Sequence, residues 1–391
     1  MSNRALGVVY GASVAVSGGA SLLYPLLAVM ALDLAVPEEE IGLAMAAFFL
    51  PAVVLAPVFG TIADLHGRRW MLIFGLLLFG IAGSAVGLAP SYEWVLAMRA
   101  LQGVGMSALS PLTIVLISDL LPPERELGGQ GMKVVFDRIG MILLPILGGG
   151  LALISWRLSL SLFALTIPLA FAAYLWMPET RDPGGSADLR SYLRKTAAAV
   201  RRPRLHLAFA TGFLRFYLDT GLYTYLPILL ALRYDASPAT IGWLVAASAI
   251  GSIATAMNAG RLRHLKAERM LALAFGASAV VIGLAAAGVP LWVLFGATFV
   301  FGLANGIISP LQKSLLTQRT EPNLRGAVVS VDRVIQQVGK SIAPVLMGLV
   351  LVFGPIEWVF WSLCLTSAAG ALLLSAAEAR TWLGTRRIAA E

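Results

Sequence analysis

The sequence is a succession of long, unbroken apolar runs separated by short polar stretches. Most runs approach the roughly 20 residues a helix needs to cross a bilayer core, and in hydrocarbon only helices and closed barrels satisfy their own backbone polar groups. Continuous runs, rather than ten-residue alternating strands, exclude a barrel. The pattern predicts twelve spans near residues 6–32, 41–63, 70–90, 93–119, 130–154, 157–177, 206–231, 239–259, 269–287, 290–316, 326–352 and 356–376. Six precede and six follow one long polar stretch at 178–205, which holds Pro178, Pro183, Gly184, Gly185 and Ser186 and then Arg190, Arg194, Lys195, Arg201, Arg202 and Arg204. That stretch reads as a cytoplasmic linker, either simply solvated or carrying a short amphipathic helix on the membrane surface. The expected fold is an all-α membrane protein with two pseudo-symmetric six-helix bundles, 1–177 and 206–391, the second ending in a short cytoplasmic tail.

Composition agrees with a lipid-facing exterior. Charged residues make up 13% of the chain, against roughly 25% in soluble proteins, and mean hydropathy is +0.82. The net charge of +8 invites a nucleic-acid partner, but its distribution points elsewhere. Counted from a cytoplasmic N-terminus, Arg and Lys crowd alternate loops: Arg68 and Arg69, Arg125, Arg181 to Arg204, Arg261 to Arg269, Arg319 and Arg325, and Arg380 to Arg387. The opposite loops hold only Arg157 and Arg233, and the first of them carries Asp33, Glu38, Glu39 and Glu40. This positive-inside bias predicts a multi-pass protein of the inner (cytoplasmic) membrane with both termini cytoplasmic, and no nucleic-acid partner. The nine Trp residues all fall near predicted span ends, where indoles prefer to sit. Cys364 is the single cysteine, and His66, His206 and His264 are scattered, so neither a disulfide framework, a metal site nor a cofactor is expected. The first apolar run is too long for a cleavable signal and reads as span 1.

Short patterns recur between the halves. Span 5 carries Gly131, Asp137, Arg138 and Pro145; span 11 carries Gly326, Asp332, Arg333 and Pro344, with the same six-residue step from Gly to Asp. Between spans 2 and 3 lies Gly60-Thr-Ile-Ala-Asp64-Leu-His-Gly67-Arg68-Arg69. Gly60 permits close helix approach, Gly67 a tight turn, and Asp64 can cap or pair with neighbouring helix ends.

This loop resembles the signature of the major facilitator superfamily, approximately G-x-L-A-D-R-x-G-R-R, with Ile62 and Leu65 departing from it. Arg99-Ala-Leu-Gln102-Gly103-Val-Gly105 in span 4 is similar to the R-x-x-Q-G-x-G of that superfamily. Span 5 resembles the G-x-x-x-G-P-x-x-G-G of its twelve-span drug:proton antiporters through Gly140, Pro145, Gly148 and Gly149, with Leu144 at the second glycine. In membrane helices Gly and Pro also serve packing and bending alone. The resemblance implies alternating access, spans 1, 4, 7 and 10 lining a midplane cavity, and a latch at Asp64, Arg68 and Arg69 that holds the cytoplasmic side shut in the outward-open state.

Charges within spans are costly, about 2.5–3.5 kcal/mol at a helix centre, so they face cavities and find partners. In span 7, Arg215 and Asp219 stand four apart on one face with Tyr223 a turn on, either a proton-coupling pair or a fixed ion pair. Arg333, Gln336, Gln337, Lys340 and Pro344 form a stripe on span 11, with Asp332 at its edge in reach of Arg333 or Lys313. Span 10 adds Asn305, Ser309, Gln312 and Lys313, and span 5 adds Lys133, Asp137 and Arg138; Lys133 and Lys313 can also snorkel to the cytoplasm. Tyr10, Ser13, Ser17, Ser21 and Tyr24 make a polar face on span 1 that suits either substrate contact or close packing. Tyr10, Ser17, Tyr24, Gln102, Tyr223, Asn305, Gln336 and Lys340 are the candidate cavity residues. Embedded cations outnumber anions, which points to an anionic, zwitterionic or neutral amphipathic substrate.

The reading is a monomeric, non-enzymatic transporter whose partners are a small molecule, protons and lipid, with proton-coupled efflux through Asp219 the leading mechanism. An organic-anion uniporter, exchanger or importer is the alternative on the same fold. A membrane sensor or enzyme would need a catalytic constellation that the sequence does not offer.

Overall fold

The computed structural model describes residues 3–180, 202–258, 266–320 and 325–388. Most of the 178–205 linker and of the 260–269 loop lies outside these residues, as do the side chains of Arg325 and Gly326 and of the 377–388 stretch. Fourteen α-helices carry the described chain. Helix α1 (Asn3–Ser21) and α2 (Leu27–Asp33) flank a 3₁₀ turn at Tyr24–Leu26. The single span expected at 6–32 is therefore interrupted, because Pro25 lacks an amide proton and its ring crowds the preceding turn. Then come α3 (Leu43–His66), α4 (Arg68–Ala85), α5 (Tyr92–Leu120) and α6 (Pro123–Ala152). Helices α7 (Trp156–Leu160) and α8 (Thr166–Trp176) share one span, with 3₁₀ backbone at Ser161–Leu165 between them. The second half holds α9 (Pro203–Tyr234), α10 (Pro238–Asn258), α11 (Ala267–Ala287), α12 (Leu291–Gln318), α13 (Arg325–Phe353) and α14 (Ile356–Ile388).

Eleven helical segments are long and apolar enough to cross a membrane. Helix α9, the expected seventh span, is not one of them, because Arg215, Asp219 and several tyrosines lower its hydropathy. It is shielded by protein instead of lipid: Leu222, Tyr225, Leu226, Leu229 and Leu230 are all fully buried. Seven tryptophans, at 70, 94, 176, 243, 292, 358 and 361, are exposed on the outside of the helices, whereas Trp156 is buried and donates its Nε1–H to Asp33 at 3.0 Å.

Within the first half α5 packs against α3 and α4, and α1 against α6; within the second α10 packs on α12, α11 on α14 and α9 on α13. The two largest crossings between the halves are α6 with α10 and α3 with α13, and α9 and α10 also touch the Tyr24–Leu26 turn. Both are made at the ends near the 34–42 and 235–238 turns, and glycines make them possible. A Cβ at Gly149 would overlap the Pro238 carbonyl, and one at Gly242 the Pro145 carbonyl. At the other crossing a Cβ on Gly42 would lie 2.8 Å from the Pro344 carbonyl oxygen, and one on Gly348 would overlap that of Glu39. The Tyr225 hydroxyl donates to Pro344 O at 2.7 Å, and the Tyr92 hydroxyl to Glu40 O at 2.8 Å, completing the closed end. Toward the opposite end a Cβ at Gly60, Gly128 or Gly131 would meet no atom within 4 Å.

Candidate functional site

Helix α9 brings Arg215 and Asp219 to one face, four residues apart, but no direct ion pair closes between them among the described residues. Asn305 of α12 stands between: Arg215 Nε donates to its Oδ1 at 3.0 Å, and its Nδ2 donates to Asp219 Oδ1 at 3.5 Å. Among the described residues, that long bond is the one hydrogen bond Asp219 receives. The carboxylate also lies in the field of Lys340 from α13 and Arg138 from α6, so four helices converge on it. Lys340 has no oxygen acceptor among the described residues; its ammonium lies 4.4 Å from the Phe216 ring centroid and 5.2 Å from that of Phe49. The Arg215 guanidinium covers the other share of Phe216 at 4.6 Å. These contacts lower the cost of buried cations through the negative ring face. Among the described residues, Arg138 donates only to Met141 Sδ, at 3.7 Å. Tyr24 and Tyr223 meet at 5.5 Å between ring centroids beside Asp219, and Phe301 lies edge-on to Tyr223 at 6.0 Å.

A second cluster occupies the neighbouring turns. Asp332 accepts from Gln312 Nε2 at 2.8 Å and from Gln336 Nε2 at 2.6 Å, and Gln312 also reaches Ala208 O at 3.3 Å. Among the described residues Asp332 is thus held by two amides, and it ties the ends of α9, α12 and α13. Lys133 and Asp137 do form the i,i+4 ion pair that their spacing allows, at 2.8 Å. Lys313 is exposed, and Arg333 is half-buried.

The first-half candidates divide. The Tyr10 ring stacks on Phe136 at 5.0 Å and its hydroxyl reaches Gly129 O at 3.3 Å. The Ser17 hydroxyl returns to the Ser13 carbonyl at 2.8 Å, at the point where Gly140 crosses α1. Gln102 is fully buried and accepts from Arg99 Nη1 at 2.6 Å. Arg99, also fully buried, donates to Gly19 O at 3.1 Å and Ala44 O at 3.3 Å and covers the Phe48 ring at 4.0 Å. It joins α1, α3 and α5 through backbone carbonyls of the first two and the side chain of Gln102 in the third. Arg99→Leu is expected to lower the apparent unfolding temperature of detergent-purified protein, since the buried Gln102 Oε1 loses its donor and a buried acceptor left unsatisfied costs about 1–3 kcal/mol; an unchanged melting curve would show these bonds to be energetically idle.

In the 60–69 loop, Gly67 has φ +114°, a backbone that favours glycine, and passes directly into α4. Arg68 pairs with Asp64 at 3.1 Å and with Asp119 at the end of α5. Glu179 accepts from the Arg68 amide at 2.7 Å, and Arg69 donates to the Tyr174 carbonyl. The loop therefore ties α3, α4, α5 and the end of α8, with Asp119 and Glu179 as members that the motif itself does not contain. In α6, Gly140 and Gly148 face α1 while Gly149 faces α10. Leu144, where the resembling pattern has glycine, packs over Gly18, so the small residue has moved to the partner helix.

A family model described as the Major Facilitator Superfamily matches residues 9–237 and 208–382. The Bacillibactin exporter of Bacillus subtilis (strain 168) is 24% identical over 342 residues, 83% of this chain and 84% of that protein. The Quinolone resistance protein NorA of Staphylococcus aureus is 28% identical over 156 residues, 40% of each chain. Among solved structures, a bacterial homologue of the human lysosomal transporter Spinster, in an inward-facing and unoccupied conformation, superposes with TM-score 0.78 at 16% identity, covering 99% of this chain and 98% of that one. The helical fold, the glycine crossings and these matches converge: the chain belongs to the Major Facilitator Superfamily and is a multi-pass membrane transporter.

Proposed function

We propose that this transporter is a proton-coupled exporter of a small amphipathic organic molecule, with Asp219 as the proton carrier. Twelve spans, α9 included, form two six-helix bundles over 1–177 and 206–391 that rock about the central site, in a monomer of the inner membrane with cytoplasmic termini. In that orientation the glycine crossings close the outer end and the chamber opens to the cytoplasm, the state in which an exporter loads. The supporting observation is Asp219 itself: a carboxylate among three cations, with one long hydrogen bond, has coordination to spare for a proton. Arg215 is its coupled partner through Asn305, and Tyr24, Tyr223, Asn305, Gln336 and Lys340 are the proposed substrate wall. Asp64, Arg68 and Arg69 form the cytoplasmic latch. The exporter name of the Bacillus subtilis relative supports the direction.

In proteoliposomes an imposed pH gradient is expected to drive uphill substrate movement and to collapse with an uncoupler; flux indifferent to the gradient would remove the proton from the mechanism. The surplus of cations favours a second reading, passage of an organic anion such as a carboxylate or phosphate ester without protons. Counterflow of such anions with no accompanying proton movement is its signature.

A further inference from the structure

We infer that the chamber recognises an aromatic zwitterion, its amine at Asp219 and its carboxylate at Lys340 and Arg138, an inference that rests on the proton-exchange reading of Asp219. Two opposite poles in the site have unfilled hydrogen-bonding capacity. Asp219 receives one bond, at 3.5 Å, and has a second oxygen without a donor among the described residues. Among the described residues, Lys340 offers three N–H groups and meets only ring faces, while Arg138 offers five and donates only to a thioether sulfur. Arg215, by contrast, is engaged by Asn305. Both open cations sit in the electrostatic field of Asp219, so one small molecule can address both poles. The aromatic faces of Phe49, Phe216, Tyr24 and Tyr223 lie at the same residues and suit a planar body.

Coupling narrows the class further. Exchange requires proton and substrate to oppose one another at the site, and such linkage is reciprocal. A simple anion does the reverse: its charge stabilises a proton on Asp219, so the two would bind together. A simple cation displaces that proton but faces three fixed cations with nothing to offer Lys340 and Arg138. A molecule with both charges displaces the proton through its amine and neutralises the surplus through its carboxylate.

The test uses four compounds with one aromatic body: 2-naphthylalanine (zwitterion), its amide (cation), its N-acetyl derivative (anion) and the N-acetyl amide (neutral). Binding is measured by calorimetry on the full detergent-purified chain at neutral pH. The zwitterion is expected to bind about tenfold or more tighter than each of the others, or about 1.4 kcal/mol. Lys340→Gln and Arg138→Gln should each reduce the preference for the zwitterion over the amide, with a cooperative melting transition reporting that each variant is folded. Asp219→Asn should remove the preference for the zwitterion over the N-acetyl anion. Equal binding of all four, tighter binding of the anion or the cation, or no saturable binding of the zwitterion overturns the inference. Because binding needs no gradient, retained selectivity without proton-driven flux would discard the coupling proposal alone.

Discussion

Asp219→Asn is expected to abolish gradient-driven transport, to the level of protein-free liposomes, while exchange of labelled for unlabelled substrate across the same membranes continues. The asparagine has the shape of the aspartate, and its oxygen can keep the bond from Asn305 Nδ2, so the packing of α9 on α12 survives. What it loses is the ability to take and release a proton. With that step removed, the loaded transporter can still reorient in both directions, but the proton gradient no longer has a differential affinity to act on. Arg215→Gln should be milder: Asn305 already separates the two charges, and Lys340 and Arg138 remain in the field of Asp219. Uphill transport in Asp219→Asn at the level of the unmodified protein would move the coupling role elsewhere, with Asp332 the next carboxylate to replace.

The second large effect belongs to the closed end. Gly242→Val places a branched side chain against the Pro145 carbonyl, where even a single Cβ overlaps backbone. Backbone cannot swing aside as the tip of a flexible side chain can, so the α6–α10 crossing must separate or the helices must shift. Overpacking of this kind costs about 1–3 kcal/mol, and all of it falls on the conformer that makes the crossing. The population should move roughly five- to 150-fold toward the conformer closed at the other end. Spin labels at Glu38 and Asp235, exposed in the two turns flanking the crossings, should report longer distances in Gly242→Val than in the unmodified protein. Gly276→Val serves as the control, since a Cβ there meets no atom within 4 Å. An unchanged distance distribution in Gly242→Val would mean that the crossing is not what holds this end shut.

Much of the molecule was legible before any coordinates. Helix length and hydropathy located the spans, because lipid imposes a single solution on the backbone. Arginine placement predicts a topology, and the few embedded charges single out the helices where they lie. Local spacing was sufficient where both partners sat on one helical face with no third group between them, as for Lys133 and Asp137.

The same spacing failed for Arg215 and Asp219. They have the i,i+4 separation of Lys133 and Asp137, yet an amide 86 residues from Asp219 in sequence enters between them, and no periodicity within α9 contains that information. Asp332 is a similar case, with Gln312 and Gln336 taking the place of the nearby cations. Arg99 was visible as a motif residue, but its bonds to carbonyls of two other helices depend on how those helices cross. Leu144 looked like a defect in a glycine pattern until Gly18 appeared opposite it. The sequence by itself determined that this chain is a bundle of membrane helices and which of them carry charge, since both follow from the cost of placing each residue in hydrocarbon. Only the tertiary structure decided which charges meet, which are separated by an amide and which end of the chamber is shut, because these depend on side chains from distant helices competing for the same donors, acceptors and space.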